Sequence, residues 1–344
     1  MRLLNCIQFP MRSMTPMFQV FCVVAAITLC SFLLMAQIND DVLSSKPCVE
    51  PSHARSENDT TFSINYDEYY MIEFKDIALK IRYVHFPAIF NVICSFNTNI
   101  KTTMIFVQST PTKYEQRSVI RETWANRKYS KSLQDSTARV FFVIGNGEVV
   151  SNDIKREIQE YDDIILVDFE DSYKNLAYKT AITMHISKLC KSSFTVKIDE
   201  DVALHIDKLT NNVLAHASPD KAEIFCKVLW NEKPNRDILS PWYISTYQFA
   251  GNYVPTYCSG PCYIMTRKTL ELMIGATPYF RIINVEDIFY TGLIANSVGV
   301  QHIDQRKNYL QTPHQECSPN IVSNHNVKTP EEMRRIWKLL QNSC

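Results

Sequence analysis

Residues 194–202 read FTVKIDEDV, a short apolar run that closes on three consecutive carboxylates, Asp199, Glu200 and Asp201. A run of that length and polarity reads as a buried strand. Upstream, residues 103–108 (TMIFVQ) form another such run. Ser109-Thr110-Pro111-Thr112 then starts a helix in which Arg117, Ile120, Arg121 and Trp124 share one side. Residues 139–144 (RVFFVI) end at Gly145-Asn146-Gly147, a polar helix passes through Ile154 and Ile158, and a third run follows at 164–167. A helix over 173–189 leads back to the opening stretch. Strands alternating with helices imply right-handed crossovers, so the expected fold class is α/β with a largely parallel, buried sheet. Ligands of such sheets sit beyond the carboxyl ends of the strands, the kind of position the acidic triplet occupies. Further strands are expected at 223–228 and 258–266, separated by long loops, and at 81–84.

Three adjacent like charges repel one another, and a cation relieves the repulsion. Hard cations such as Mg²⁺ or Mn²⁺ favour carboxylate oxygens and share their remaining positions with substrate phosphates. Asp199 and Asp201 are alternate residues and point together, toward a ribose and a metal respectively. The competing reading is a solvated turn or an acidic cap on a helix starting near Leu204. Glu286-Asp287 follows Ile282-Ile283-Asn284-Val285 and precedes an apolar helix at 288–298. Capping would explain these acids too. The chemical reading is a general base, partly desolvated by Phe289, Tyr290 and Tyr263, that takes a proton from a hydroxyl nucleophile. Arg117, Arg121 and Trp124 suit a diphosphate and a base, since guanidinium forks match phosphate oxygens. The alternatives are a structural ion pair for Arg121 and a core position for Trp124, and for Trp124 the core is the favoured reading.

The chain has 344 residues with 36 Lys+Arg and 36 Asp+Glu, which argues against nucleic acid as a partner. Hydrophobic residues at 46% suffice for a large core, and only seven glycines argue against a collagen-like or linker-rich chain. Residues 17–36 (MFQVFCVVAAITLCSFLLMA) carry no charge and are long enough to span a bilayer. Arg2 and Arg12 before them, with Asp40 and Asp41 after, predict a cytosolic N-terminus and a translocated remainder. A cleavable signal peptide would have a shorter apolar region and a better cleavage site. The expected organisation is a cytoplasmic tail (1–16), a transmembrane signal-anchor (17–36), a lumenal stem (37–95) and a catalytic domain (96–344). Beyond the anchor stand eight cysteines, an even number suited to an oxidising compartment. A zinc site at Cys258 and Cys262 is weakly supported, for no second close pair accompanies them. Asn58-Asp59-Thr60 is a glycosylation sequon in the spacer.

Several segments, taken in order, resemble the β1,3-galactosyltransferase family. They are Arg117-x-x-Ile120-Arg121-x-Thr123-Trp124, Phe142-x-Ile144-Gly145, Tyr161-Asp162-Asp163-Ile164-Ile165 and Asp168-Phe169-x-Asp171-Ser172-Tyr173-x-Asn175-Leu176 with Lys179-Thr180. The acidic triplet, Tyr257-Cys258-Ser259-Gly260-Pro261-x-Tyr263 and Val285-Glu286-Asp287-Ile288-x-Tyr290 complete the series, over about residues 102–300. The resemblance implies a GT-A fold, which is a Rossmann-like nucleotide-sugar-binding domain, with type II Golgi topology, a UDP-sugar donor, Mn²⁺ and inversion at the anomeric carbon. It implies Asp201 as metal ligand, Asp199 and Glu200 as donor contacts, to which the phosphate-matching Arg117 and Arg121 are added, and Asp287 as catalytic base oriented by Glu286. His302 is the expected histidine of the metal shell, with His314 and His325 also qualifying. Two departures from the family stand out: Glu200 replaces a middle aspartate, and Cys262 replaces a glycine in Gly-Pro-Gly-Tyr. The donated sugar is expected to be galactose, with GlcNAc and GalNAc open. The acceptor is expected to be a glycan on glycoprotein or glycolipid, met by the loops of 230–256. A non-catalytic lumenal lectin or chaperone of the same fold, and a metal-dependent phosphatase or nuclease, are the rival readings.

Overall fold

The structure, a computed structural model, describes residues 70–88, 101–147, 150–310 and 320–342, all inside one compact unit, Asp59–Cys344. The expected tail and membrane span (1–16 and 17–36), the sequon at Asn58 and His314 lie outside the described residues. Among those described, no helix is long and apolar enough to cross a membrane.

A hairpin of β1 (Tyr70–Glu73) and β2 (Ala78–Ile81) is followed by β3 (Tyr83–His85). Then come β4 (Thr103–Gln108), α1 (Tyr114–Glu122), β5 (Ala138–Gly145), α2 (Asn152–Tyr161), β6 (Ile164–Val167), α3 (Leu176–Leu189) and β7 (Phe194–Asp199). The later part holds β8 (Ala203–Leu204), β9 (Glu223–Leu229), β10 (Tyr257–Thr266) and α4 (Arg267–Ala276). It closes with β11 (Gln301–Asp304), β12 (Tyr309–Leu310), β13 (Ser323–Asn324) and α5 (Pro330–Gln341).

The main sheet runs β11-β9-β10-β7-β4-β5-β6-β3. Its centre, β7-β4-β5-β6, is parallel throughout, while β10 and β3 pair antiparallel with β7 and β6. The expected parallel sheet is therefore mixed at its flanks. Alternate residues explain how the centre is buried on both faces. Met104, Phe106, Phe141 and Val143 face one core with α3 and α4, and Ile105, Val107, Phe142 and Ile144 face the other with α1 and α5. On β7, Phe194, Val196 and Ile198 join the second core, which turns Lys197 toward the first.

Two boundaries differ from expectation. The helix expected from 173 begins at Leu176 after the 3₁₀ turn Tyr173–Asn175. The apolar helix expected at 288–298 is wound as a π-helix over Ile288–Ile294, followed by Ala295–Ser297. The folded unit also reaches N-terminal of 96, because β3 is part of the main sheet.

Candidate active site

The parallel strands follow the order β6-β5-β4-β7, so the chain reverses direction across the sheet between β4 and β7. Such a switch point opens a crevice beyond the strand ends, and the acidic triplet lies there, with Asp199 paired to Gln108 in register. The three carboxylates part company at once. Asp199 Oδ1 accepts from Lys197 Nζ at 2.6 Å. Glu200 turns back under the sheet end, where its Oε2 accepts from Ser109 Oγ at 2.6 Å and its carbonyl from Gln116 Nε2 at 3.0 Å. Asp201 stays partly exposed, with Oδ2 at 3.3 Å from His325 Nε2. Burial pushes both the Asp199 and the Glu200 carboxyl up, against the lowering influence of Lys197 on the first and Ser109 on the second.

The second acidic pair converges on the same crevice through Lys197, whose side chain is 1% exposed. Its Nζ also donates to Gly260 O at 2.8 Å and lies 3.5 Å from Glu286 Oε2. Burial alone would lower the Lys197 ammonium, but the charges of Asp199 and Glu286 outweigh it and hold the group well above its usual range. Glu286 points into the core, where Oε1 accepts from Thr180 Oγ1 and Tyr263 Oη. Asp287 points the other way. Its Oδ1 accepts from the Ile288 amide at 2.8 Å, and its Oδ2 accepts no protein hydrogen bond among the described residues. Burial, and then the Glu286 charge beside it, push the Asp287 carboxyl up to about 7. A carboxylate half-protonated near neutral pH is well matched to general-base work.

Asp287 rests on a bulge. Cys258 pairs with Val228, but the next pair is Tyr263 with Cys226, so β10 advances five residues while β9 advances two. Ser259-Gly260-Pro261-Cys262 is thrown out of the ladder with β9, although Cys262 stays paired with Ile198 of β7, and the Cys226–Cys258 disulfide clamps the base of the bulge. A Cβ on Gly260 would come within 2.9 Å of Asp287 Oδ2, so only glycine lets the carboxylate lie this close to the strand. Thr291 braces the same corner, its Oγ1 donating to Asp287 O at 2.6 Å and accepting from the Cys258 amide at 2.9 Å.

Three sequence-based assignments change. Arg117 is fully buried, gripping Glu157 through Nε (2.8 Å) and Nη2 (2.6 Å), with Nη1 on Thr110 O and Ser109 Oγ. Arg121 binds Asp163 through Nε and Nη2 and Glu157 through Nη1, each at 2.7 Å, and stacks on Phe142 and Tyr161. Both guanidiniums are spent on protein carboxylates, so they brace the sheet end rather than face a diphosphate; Trp124 is core, at 0% exposure. His302 donates from Nε2 to Thr291 O at 2.6 Å, and it is His325 that meets Asp201. A zinc site at Cys258 is ruled out by its disulfide. Cys262 is buried as a free thiol, pushed up to about 12 by burial. Neither Lys197 nor Gly260 is given a role by the sequence alone, though a lysine inside an apolar strand is a visible anomaly.

Among the described residues no three His, Cys, Asp or Glu side chains converge as a ready-made metal cage. The Asp201 oxygen and the His325 imidazole nitrogen nonetheless stand together as a pair of donor types that divalent cations accept.

A family model described as Galactosyltransferase matches residues 115–306. The proteins named Beta-1,3-galactosyltransferase 1 of Mus musculus and Homo sapiens are each 30% identical over 245 residues, which is 70% of this chain and 74% of theirs. Beta-1,3-galactosyltransferase bre-2 of Caenorhabditis elegans is 32% identical over 246 residues, 67% of this chain and 65% of that one. The solved apo structure of mouse xyloside xylosyltransferase 1 overlays only distantly, with a TM-score of 0.38 and 9% identity over 68% of this chain and 100% of that one.

Proposed function

The chain belongs to the β1,3-galactosyltransferase family and is a hexosyltransferase; from that premise we propose that it moves galactose from a UDP-sugar to a glycan hydroxyl, in β1,3 linkage and with inversion. The observation that carries the mechanism is Asp287. It is a carboxylate with a raised proton affinity and an oxygen free of protein partners, set over a glycine in a crevice shared with the acidic triplet. Its Oδ2 takes the proton of the acceptor hydroxyl as that oxygen forms a bond to the anomeric carbon. The bond from that carbon to the terminal phosphate oxygen breaks, and its electron pair leaves with UDP. A donor joined in α linkage gives a β product in one displacement. A single base suffices, unlike the two facing carboxylates of glycosidases.

Asp201 and His325 would hold Mn²⁺, which when bound neutralises charge on the diphosphate as a Lewis acid. Lys197 keeps the donor-side carboxylate Asp199 and the base-side Glu286 in fixed relation, because one buried ammonium touches both. Glu200, drawn back by Ser109, shapes the floor of the crevice. The strand order supports a GT-A, Rossmann-like reading of the fold. The apolar run at 17–36 and the oxidised Cys226–Cys258 pair support a single-pass type II protein of the Golgi membrane with a lumenal catalytic domain. The test is transfer by the full chain from UDP-galactose, with the product's linkage determined and UDP release followed with Mn²⁺ and with chelator. Asp201→Ala and Asp287→Asn should each abolish transfer; no UDP release from any UDP-hexose would end the proposal.

A further inference from the structure

A nucleoside diphosphate carries more negative charge than one divalent cation offsets, and the obvious protein cations are already committed. Arg117 and Arg121 bind Glu157 and Asp163. Lys179 binds Asp171 at 2.7 Å and Ser109 O at 2.6 Å, and Lys197 binds Asp199 and Gly260 O.

On the opposite face of the bulge from Asp287 lies a pocket lined by Lys227, Ser259, Pro261, Cys262, Tyr309 and His325, among others. His325 connects it directly to Asp201. Lys227 stands on β9 between Cys226 and Val228, which face the other core, so its side chain shares the face of Phe225 and Cys262. Among the described residues it has neither a carboxylate nor a hydrogen-bond partner. One buried polar atom on the same wall, His325 Nδ1, is also without a hydrogen-bond partner among the described residues, while the hydroxyl of Tyr309, a residue 7% exposed, interacts with the Cys262 thiol. A buried polar group is seldom left so, and this one lines the same pocket as Lys227. The walls are held in place, since the Cys226–Cys258 disulfide joins the residues immediately before Lys227 and Ser259.

We propose that this pocket is the leaving-group end of the donor site, where Lys227 receives the terminal phosphate of the nucleoside diphosphate as the sugar departs. The inference rests on the UDP-sugar reading above. As the bond between sugar and phosphate breaks, the electron pair stays on the phosphate oxygen and the acceptor proton goes to Asp287. Lys227 keeps its own protons and offsets the new charge.

The test compares UDP with UMP, which lacks the terminal phosphate, by calorimetry on the full chain, with Mn²⁺ and again in chelator. Lys227→Met should weaken UDP about tenfold or more while leaving UMP nearly unchanged. Lys227→Arg should restore most of the difference, and the loss should shrink as salt rises. An unchanged melting temperature is expected of the Met variant, because Lys227 has no protein partner to lose. The proposal is overturned if UDP and UMP weaken equally, or if UDP is unaffected. If the unaltered chain binds neither nucleotide, the UDP-sugar reading itself falls.

Discussion

Replacing Glu286 with glutamine tests whether Asp287 owes part of its basicity to the charge beside it. The amide oxygen of glutamine can still accept from Thr180 and Tyr263, and Lys197 keeps Asp199 and Gly260 O as partners. What the variant loses is one negative charge on the neighbouring residue. Two carboxylates on the order of 6 Å apart, at an effective dielectric of about 20, repel by ~3 kcal/mol, equivalent to about two pH units. Burial, the larger cause of the raised value, remains, so a downward move of about one to two units is expected. As the proposed base Asp287 would work deprotonated, and activity should therefore rise with pH through its pKa. The unaltered enzyme should show an acid limb in kcat/KM centred near 7. Glu286→Gln should move that limb down, so the variant keeps a larger share of its maximal rate in mild acid. The assay is kcat/KM for the acceptor across roughly pH 5 to 9 at saturating Mn²⁺. A limb that stays in place, or moves upward, refutes the pairing of Asp287 as base with Glu286 as the source of its extra charge.

Gly260→Ala places a methyl group 2.9 Å from Asp287 Oδ2; kcat should drop by about tenfold to a hundredfold with little change in the melting curve. Glu157→Gln strands the buried Arg117 guanidinium and should cost about 3–5 kcal/mol in denaturant unfolding. Burial pushes the Glu157 carboxyl up, yet Arg117 and Arg121 outweigh it and hold it below its usual range. Its stabilisation is therefore present above the ordinary carboxylate pKa and lost as pH falls through the lower folded value, and the variant's stability should be flatter over that acid range. Replacing both Cys226 and Cys258 by serine opens a link between residues 32 apart; about 4 kcal/mol of stability should go, and transfer should fall beyond what the unfolded fraction explains.

Much of the fold was legible because strands buried on both faces are written as unbroken apolar runs. TMIFVQ, RVFFVI, IILV and FTVKI are the four parallel strands, and the acids after the last lie at the crevice that topology predicts. The flanks were harder. A bulge in which five residues answer two obeys no period, so nothing in Tyr257–Thr266 announced that Gly260 would lie beneath Asp287. Helical spacing put Arg117 and Arg121 on one side correctly but could not name their partners. Glu157 comes from α2 and Asp163 from just before β6. Choosing among histidines needed tertiary pairing. β13 runs antiparallel to β8, with Ser323 opposite Leu204, and this brings His325 to Asp201, while His302 belongs to a strand on the far edge.

The short strand β3 lies at one end of the main sheet, covering β6. A soluble enzyme cut at residue 96, the boundary the sequence suggests, would shed it and bare the flank of Ile164–Val167, four apolar residues with a row of unanswered amides and carbonyls. An uncovered edge of that kind recruits other chains. The cost of the shorter version would then be self-association before any loss of chemistry. The N-terminal hairpin region is best regarded as a guard rail, to be kept by starting any secreted version ahead of Tyr70.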